Sequence, residues 1–169
     1  MGTDSSTRET TVTWSDPSEG LALLPTLDGI DYLRKIAAGD IPGAPIGSHM
    51  GMEIAEVGEG TVTFHCHPDE SHYNPIGMVH GGLVCTLLDS VLGCAAQTTL
   101  PKGTGYTSIE IKVNYLRPVT KDSGPLVATG RVVKPGRRVI FSEGEVVDNK
   151  GKTVATASGS LLAFPLETK

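Results

Sequence analysis

The spacing of apolar side chains changes period several times along the chain. Over residues 27–38, Leu27, Ile30, Leu33, Ile36 and Ala37 recur at helical spacing, with Asp28, Asp31, Arg34 and Lys35 on the other positions, and Gly39 and Pro42 stop the helix. Residues 52–57 and 61–66 then alternate with period two around Gly58-Glu59-Gly60, which predicts two strands joined by a turn. Over 80–97 the helical period returns almost without a polar face, because Leu83, Val84, Leu87, Leu88, Val91, Leu92 and Ala95 leave little room for one. So apolar a helix has to be buried. Four strand-like runs follow, 106–116, 126–133, 138–147 and 153–164. Their links, Arg117-Pro118, Lys134-Pro135-Gly136 and Asp148-Asn149-Lys150-Gly151, carry residues suited to tight reversals. Two strands, a long helix and four strands predict an α+β domain whose antiparallel sheet wraps around that helix.

Composition adjusts this picture only slightly. A chain of 169 residues, 38% of them hydrophobic, suits one core and one site. Residues 1–26 mix Ser, Thr, Asp, Glu and Pro with Trp14 and predict a flexible arm, leaving 27–165 as the folded domain. A formal net charge of -5 gives a nucleic-acid role no support from the chain as a whole. Cys66, Cys85 and Cys94 show no CxxC spacing, and an odd number fits reduced thiols. The polar N-terminus lacks the apolar stretch of a signal peptide, and no segment reaches membrane-spanning length, so the expected location is the cytoplasm.

Chemistry concentrates in Asn74-Pro75-Ile76-Gly77-Met78-Val79-His80-Gly81-Gly82, which runs into the apolar helix. Two glycines at a helix start leave backbone amides uncovered at the positive end of the helix dipole, where they can hold an oxyanion. Asp89 lies mid-helix, where an unpaired carboxylate is costly. It shares a stripe of small or polar residues with Gly82, Thr86, Gly93 and Ala96, a face that permits close approach of a neighbour or ligand. Gly81 and Asp89 are separated by roughly 12 Å along one helix axis, too far to meet at one carbonyl carbon. Two such helices packed antiparallel about a two-fold axis bring the glycine end of one to the carboxylate of the other. Activity at this pair of features therefore requires at least a homodimer, and a homotetramer is the expected assembly.

These residues, NPxGxxHGG with Asp89 in the helix behind it, resemble the PaaI-type acyl-CoA thioesterase family of the hot-dog fold. The resemblance covers residues 47–164, including the run from Thr107 to Pro118, and leaves the N-terminal arm outside. It implies hydrolysis of an acyl-CoA or aryl-CoA thioester without metal or further cofactor, CoA being part of the substrate. It implies that the Gly81 amide polarises the thioester carbonyl and that Asn74 positions it. Asp89 matches the acidic residue, as nucleophile or general base, and Ser108 or its neighbour Thr107 matches a hydroxyl that holds water. His80 is cast as an organiser of the loop. Met78, Leu83, Leu87, Phe64 and Tyr115 are candidates for the acyl pocket.

Lys134, Gly136, Arg137 and Arg138 surround one turn and, with Arg117, are candidates to grip the phosphates of CoA, since guanidinium groups present forked donors. His65, His67 and His72 suggest a metal only superficially, because no carboxylate or Cys pair completes a ligand set. Two other readings share the fold. A non-catalytic acyl-CoA sensor needs an output module, and the N-terminal arm is too short to be a DNA-binding domain. An enoyl-thioester hydratase would use His80 and Asp89 as acid and base, yet the paired glycines and Asn74 fit hydrolysis better.

Overall fold

The computed structural model describes residues 7–166. Three short helices, α1 (Ser18–Leu23), α2 (Gly29–Ala38) and α3 (Pro45–Met50), precede the hairpin of β1 (Met52–Gly58) and β2 (Thr61–Cys66). The long helix α4 (Gly81–Gln97) comes next, then β3 (Thr104–Tyr115), β4 (Leu126–Lys134), β5 (Val139–Val147) and β6 (Thr153–Pro165). The six strands form one antiparallel sheet in the order β1-β2-β4-β5-β6-β3. β3 therefore ends the sheet, with β6 as its single neighbour.

The sheet curls around α4, whose Leu83, Val84, Leu87, Leu88, Val91, Leu92 and Ala95 are buried against Val62, Phe64, Leu126, Ala128, Val146 and Val154. Each fully buried leucine contributes about 1.5–3 kcal/mol relative to exposure. Helix and sheet approach unusually closely where Gly130 on β4 pairs with Gly144 on β5. A Cβ on Gly130 would lie 2.2 Å from the Val91 carbonyl oxygen, and one on Gly144 would lie 2.8 Å from Leu92 Cδ1. Side chains at these positions would lift α4 off the sheet.

The stretch expected to be a flexible arm is partly structured. Asp16 Oδ1 accepts the Ser18 amide at 2.9 Å where α1 opens, Gly20 is buried beneath Pro42, and Arg8 forms an ion pair with Glu70. The Gly20 and Arg8 contacts are with chain tens of residues away, so no local periodicity announces them. Helix α3, in the Pro/Gly-rich link, is likewise only six residues long and has no sequence period to read. No helix among the described residues is long and apolar enough to cross a membrane.

Candidate active site

The half-exposed face of α4 carries Gly82, Cys85, Thr86, Asp89 and Ser90. Gly93 and Ala96, expected on the same open stripe, are instead covered by the chain itself. Tyr106 lies so close over Gly93 that a Cβ there would sit 2.3 Å from its hydroxyl oxygen. The open stripe thus ends one turn beyond Asp89.

Asp89 is half-buried, and its Oδ1 accepts a hydrogen bond from Ser108 Oγ on β3 at 2.7 Å. Of the two candidate hydroxyls on that strand, the pairing falls on Ser108. A bulge follows at once, since Ser108 pairs with Leu161 and Glu110 with Ser160, leaving Ile109 without a partner on β6. The nearer hydroxyls of α4 do not satisfy the carboxylate, because Thr86 Oγ1 donates to the Gly82 carbonyl at 2.9 Å and Ser90 Oγ to the Thr86 carbonyl at 2.8 Å. Asp89 consequently keeps acceptor capacity toward the open cleft.

That cleft, of about 1210 Å³, is lined by Asp89, Ser90, Cys94, Tyr106 and Phe64 on one side and by α2, α3 and Trp14 on the other. Burial pushes the Cys94 thiol up to about 12, with the Asp89 charge adding to the shift and a hydrogen bond with Tyr106 opposing it. Burial, followed by the proximity of Cys94 and Asp89, holds the Tyr106 phenol well above its ordinary value. Both stay protonated at neutral pH, so neither is an anionic nucleophile there.

Asn74 and Gly81 open into a different, smaller cleft of about 350 Å³, together with Met78, Val84, Tyr115 and Arg117. Asn74 folds its loop by accepting the Ile76 and Met78 amides on Oδ1, both at 3.1 Å. Its Nδ2 has no partner among the described residues. His80 is the N-cap of α4, its Nδ1 accepting the Gly82 amide at 2.8 Å, which requires the tautomer with the proton on Nε2. Only one of the two glycine amides is therefore uncovered, that of Gly81, which has no acceptor among the described residues. Tyr115 Oη donates to the Gly81 carbonyl at 2.9 Å, and its ring packs over the glycine. Nothing in the sequence links Tyr115 to Gly81, since the contact joins β3 to the helix start across 34 residues.

The structure brings Asn74, His80, Gly81 and Arg117 to one end of α4 and joins Asp89 to Ser108 farther along, in separate clefts. Arg117 Nη1 donates to the Thr153 carbonyl, which fixes the guanidinium at the rim. Lys134, Arg137 and Arg138 are exposed on the β4–β5 turn and line neither cleft. Gly136 has a steric reason of its own, because a Cβ there would lie 2.0 Å from the Val139 carbonyl oxygen. Among the proposed acyl contacts, Leu83 and Leu87 belong to the core, Phe64 lines the larger cleft, and Met78 and Tyr115 line the smaller. Among the described residues no three His, Cys, Asp or Glu side chains gather as they would around a metal ion.

Residues 76–155 match the thioesterase superfamily, a span that contains Gly81, Asp89, Ser108 and Arg117. The human protein named acyl-coenzyme A thioesterase 13 is 30% identical over 70% of this chain and 78% of its own. The chain belongs to the thioesterase superfamily. A thioesterase family protein from Silicibacter pomeroyi has the same fold as this superfamily member, with a TM-score of 0.68 and 27% identity over 79% of this chain and 96% of that one. The E. coli PaaI protein shares the fold at a TM-score of 0.70 and 20% identity, covering 83% of this chain and 99% of PaaI. Six antiparallel strands around α4 are the hot-dog arrangement that the sequence resemblance implied. Asn74 and the whole N-terminal third of this thioesterase-superfamily chain precede the matched span.

Proposed function

We propose that the protein hydrolyses acyl-CoA thioesters to the free acid and CoA, in sites shared between two subunits. The reading is carried by one observation, the Asp89 carboxylate held by Ser108 in an open cleft while the unpartnered Gly81 amide opens into another. In an antiparallel dimer the thioester oxygen takes the Gly81 amide of one subunit, with Asn74 Nδ2 beside it. Asp89 of the other subunit either removes a proton from the water that attacks the carbonyl carbon, or attacks that carbon itself to form an acyl anhydride that water then cleaves to the free acid and the regenerated carboxylate. Collapse of the tetrahedral intermediate breaks the C–S bond, and the CoA thiolate leaves with a proton. Oxyanion stabilisation by a positioned amide supplies much of the barrier reduction, and the thiolate is a good leaving group.

The dimer is supported by what β3 and α4 leave uncovered. β3 is a 12-residue edge strand with an unpaired outer ladder, the kind of edge proteins cover. Ile109, 55% exposed, stands beside it at the bulge, and the half-exposed stripe of α4 runs nearby. Arg117, at the rim of the Gly81 cleft, is better placed for CoA phosphates than Lys134, Arg137 and Arg138. Superfamily membership favours hydrolysis over a sensor or a hydratase.

The decisive experiment is thiol release from a series of acyl-CoAs by the wild type and by Asp89→Asn. Loss of turnover with retained fold is the expected result, and an Asp89→Asn variant with wild-type turnover would sink the assignment.

A further inference from the structure

The open cleft that holds Asp89 is bordered on its outer side by chain that precedes the family match. Thr13, Trp14, Ser15 and Asp16 line it, facing α2 and α3. Upstream, Arg8 pairs with Glu70 at the surface, and downstream Asp16 Oδ1 accepts the Ser18 amide in a local turn that leads into α1. Between these ties the Trp14 indole packs on the His49 imidazole of α3, with ring centroids 5.2 Å apart and planes tilted by 38°. His49 covers only part of it, and Trp14 remains 55% exposed. A large apolar ring pinned in a polar segment at a cleft mouth provides contact area for whatever enters.

The lining shows what enters. Leu33, Ile41, Met52 and Phe64 are buried around the cleft and make its depth apolar. Asp16, Glu19, Asp40 and Glu53 also line it, so the outer part repels the phosphates of CoA. Arg117 lies in the other cleft, at the Gly81 end. The nucleotide end of the substrate is thereby directed away from Trp14 and the acyl end toward it. A cleft of about 1210 Å³ exceeds the roughly 300–1,000 Å³ that suits a drug-sized ligand. An acetyl group would leave most of it to water.

We propose that Trp14 and the segment around it form the outer wall of the acyl-binding cleft that begins at Asp89, and that this wall selects long apolar acyl groups. The proposal rests on the hydrolase reading of Asp89 and adds to it a specificity-determining residue outside the family match.

Trp14 is the single tryptophan of the chain, so its fluorescence reports on this wall directly. Saturating S-dodecyl-CoA, a thioether that cannot be hydrolysed, shifts the wild-type emission to the blue, whereas S-ethyl-CoA leaves it in place. Thiol release is measured in parallel on acetyl-, octanoyl- and dodecanoyl-CoA. In Trp14→Ala the ratio of kcat/KM on dodecanoyl-CoA to that on acetyl-CoA falls about tenfold or more, through KM, and Trp14→Phe restores most of it. An emission spectrum indifferent to S-dodecyl-CoA, or a ratio that stays level or rises in Trp14→Ala, overturns the proposal. A wild type that releases thiol from none of the three substrates sinks the hydrolase reading instead, while the fluorescence response still tests the wall.

Discussion

Ser108 Oγ donates to Asp89 Oδ1 at 2.7 Å, tying the edge strand to the middle of the central helix. A hydrogen bond to a charged group is worth about 1.5–3 kcal/mol. Ser108→Ala should accordingly lower kcat by about ten- to a hundredfold, because the carboxylate loses its orientation as well as its partner. Asp89→Asn should cost about a thousandfold or more, since an amide neither attacks nor accepts the proton of water. Steady-state thiol release on one acyl-CoA measures both, and a Ser108→Ala loss as deep as that of Asp89→Asn would mean that the serine is itself a reacting group.

Cys66 and Cys94 contribute to the alkaline limit of the fold, beside the Tyr106 phenol. Burial pushes both Cys66 and Cys94 up to about 12 from an ordinary value of 9.0. A group whose folded value is raised binds its proton more tightly in the native state, so its contribution is complete below pH 9 and is lost as pH rises toward 12. Unfolding free energies from urea titrations should be level between pH 7 and 8 and fall above pH 9, by up to about 1.4 kcal/mol per pH unit for each thiol. Cys94→Ala should flatten part of that slope. A slope unchanged in Cys94→Ala would mean that this thiol is not the titrating group.

Close packing of α4 on the sheet gives a stability test remote from chemistry. Gly130→Ala places a methyl group 2.2 Å from the Val91 carbonyl oxygen, so the helix must move. A cost of about 1–3 kcal/mol is expected in chemical denaturation. Leu87→Ala, at a fully buried position, should cost about 2–5 kcal/mol.

The central elements were legible because their signals are local. A helix expected over 80–97 is found at Gly81–Gln97, and the last four strands begin and end within two residues of the expected runs. Apolar period and turn chemistry act over a few residues and suffice for that. The placement of β3 next to β6, the choice of Ser108 over Thr107, and the Tyr115 bond to Gly81 all depend on pairings across tens of residues, which no window along the chain contains. Leu83 and Leu87 illustrate the same limit in the other direction, since a leucine on this helix reads alike whether it faces a pocket or the core.

His80 makes the amide count testable. Removing its imidazole frees the Gly82 amide and should cost about 0.5–2 kcal/mol as a lost N-cap. His80→Asn, which can also cap, should recover most of that stability in thermal unfolding. A hydratase acid at this position would behave otherwise, with His80→Asn stable and devoid of activity.

The proposed division of one site between two chains predicts a numerical signature. Gly81 is the first helical residue after the N-cap, where proline is tolerated, and His80 has φ -61° and ψ 135°, a conformation compatible with a following proline. Gly81→Pro therefore removes the amide proton while keeping the helix, at the expense of a slight displacement of the Tyr115 ring, 3.2 Å from the new Cβ. Gly81→Pro and Asp89→Asn should each be inactive alone. Unfolded together in equal amounts and refolded, they should form about half mixed dimers, each with one site that has both groups intact and one that has neither. Activity should return to about a quarter of wild type. If Gly81 and Asp89 of the same chain served one substrate, every site in the mixture would carry a defect and thiol release would stay at the floor.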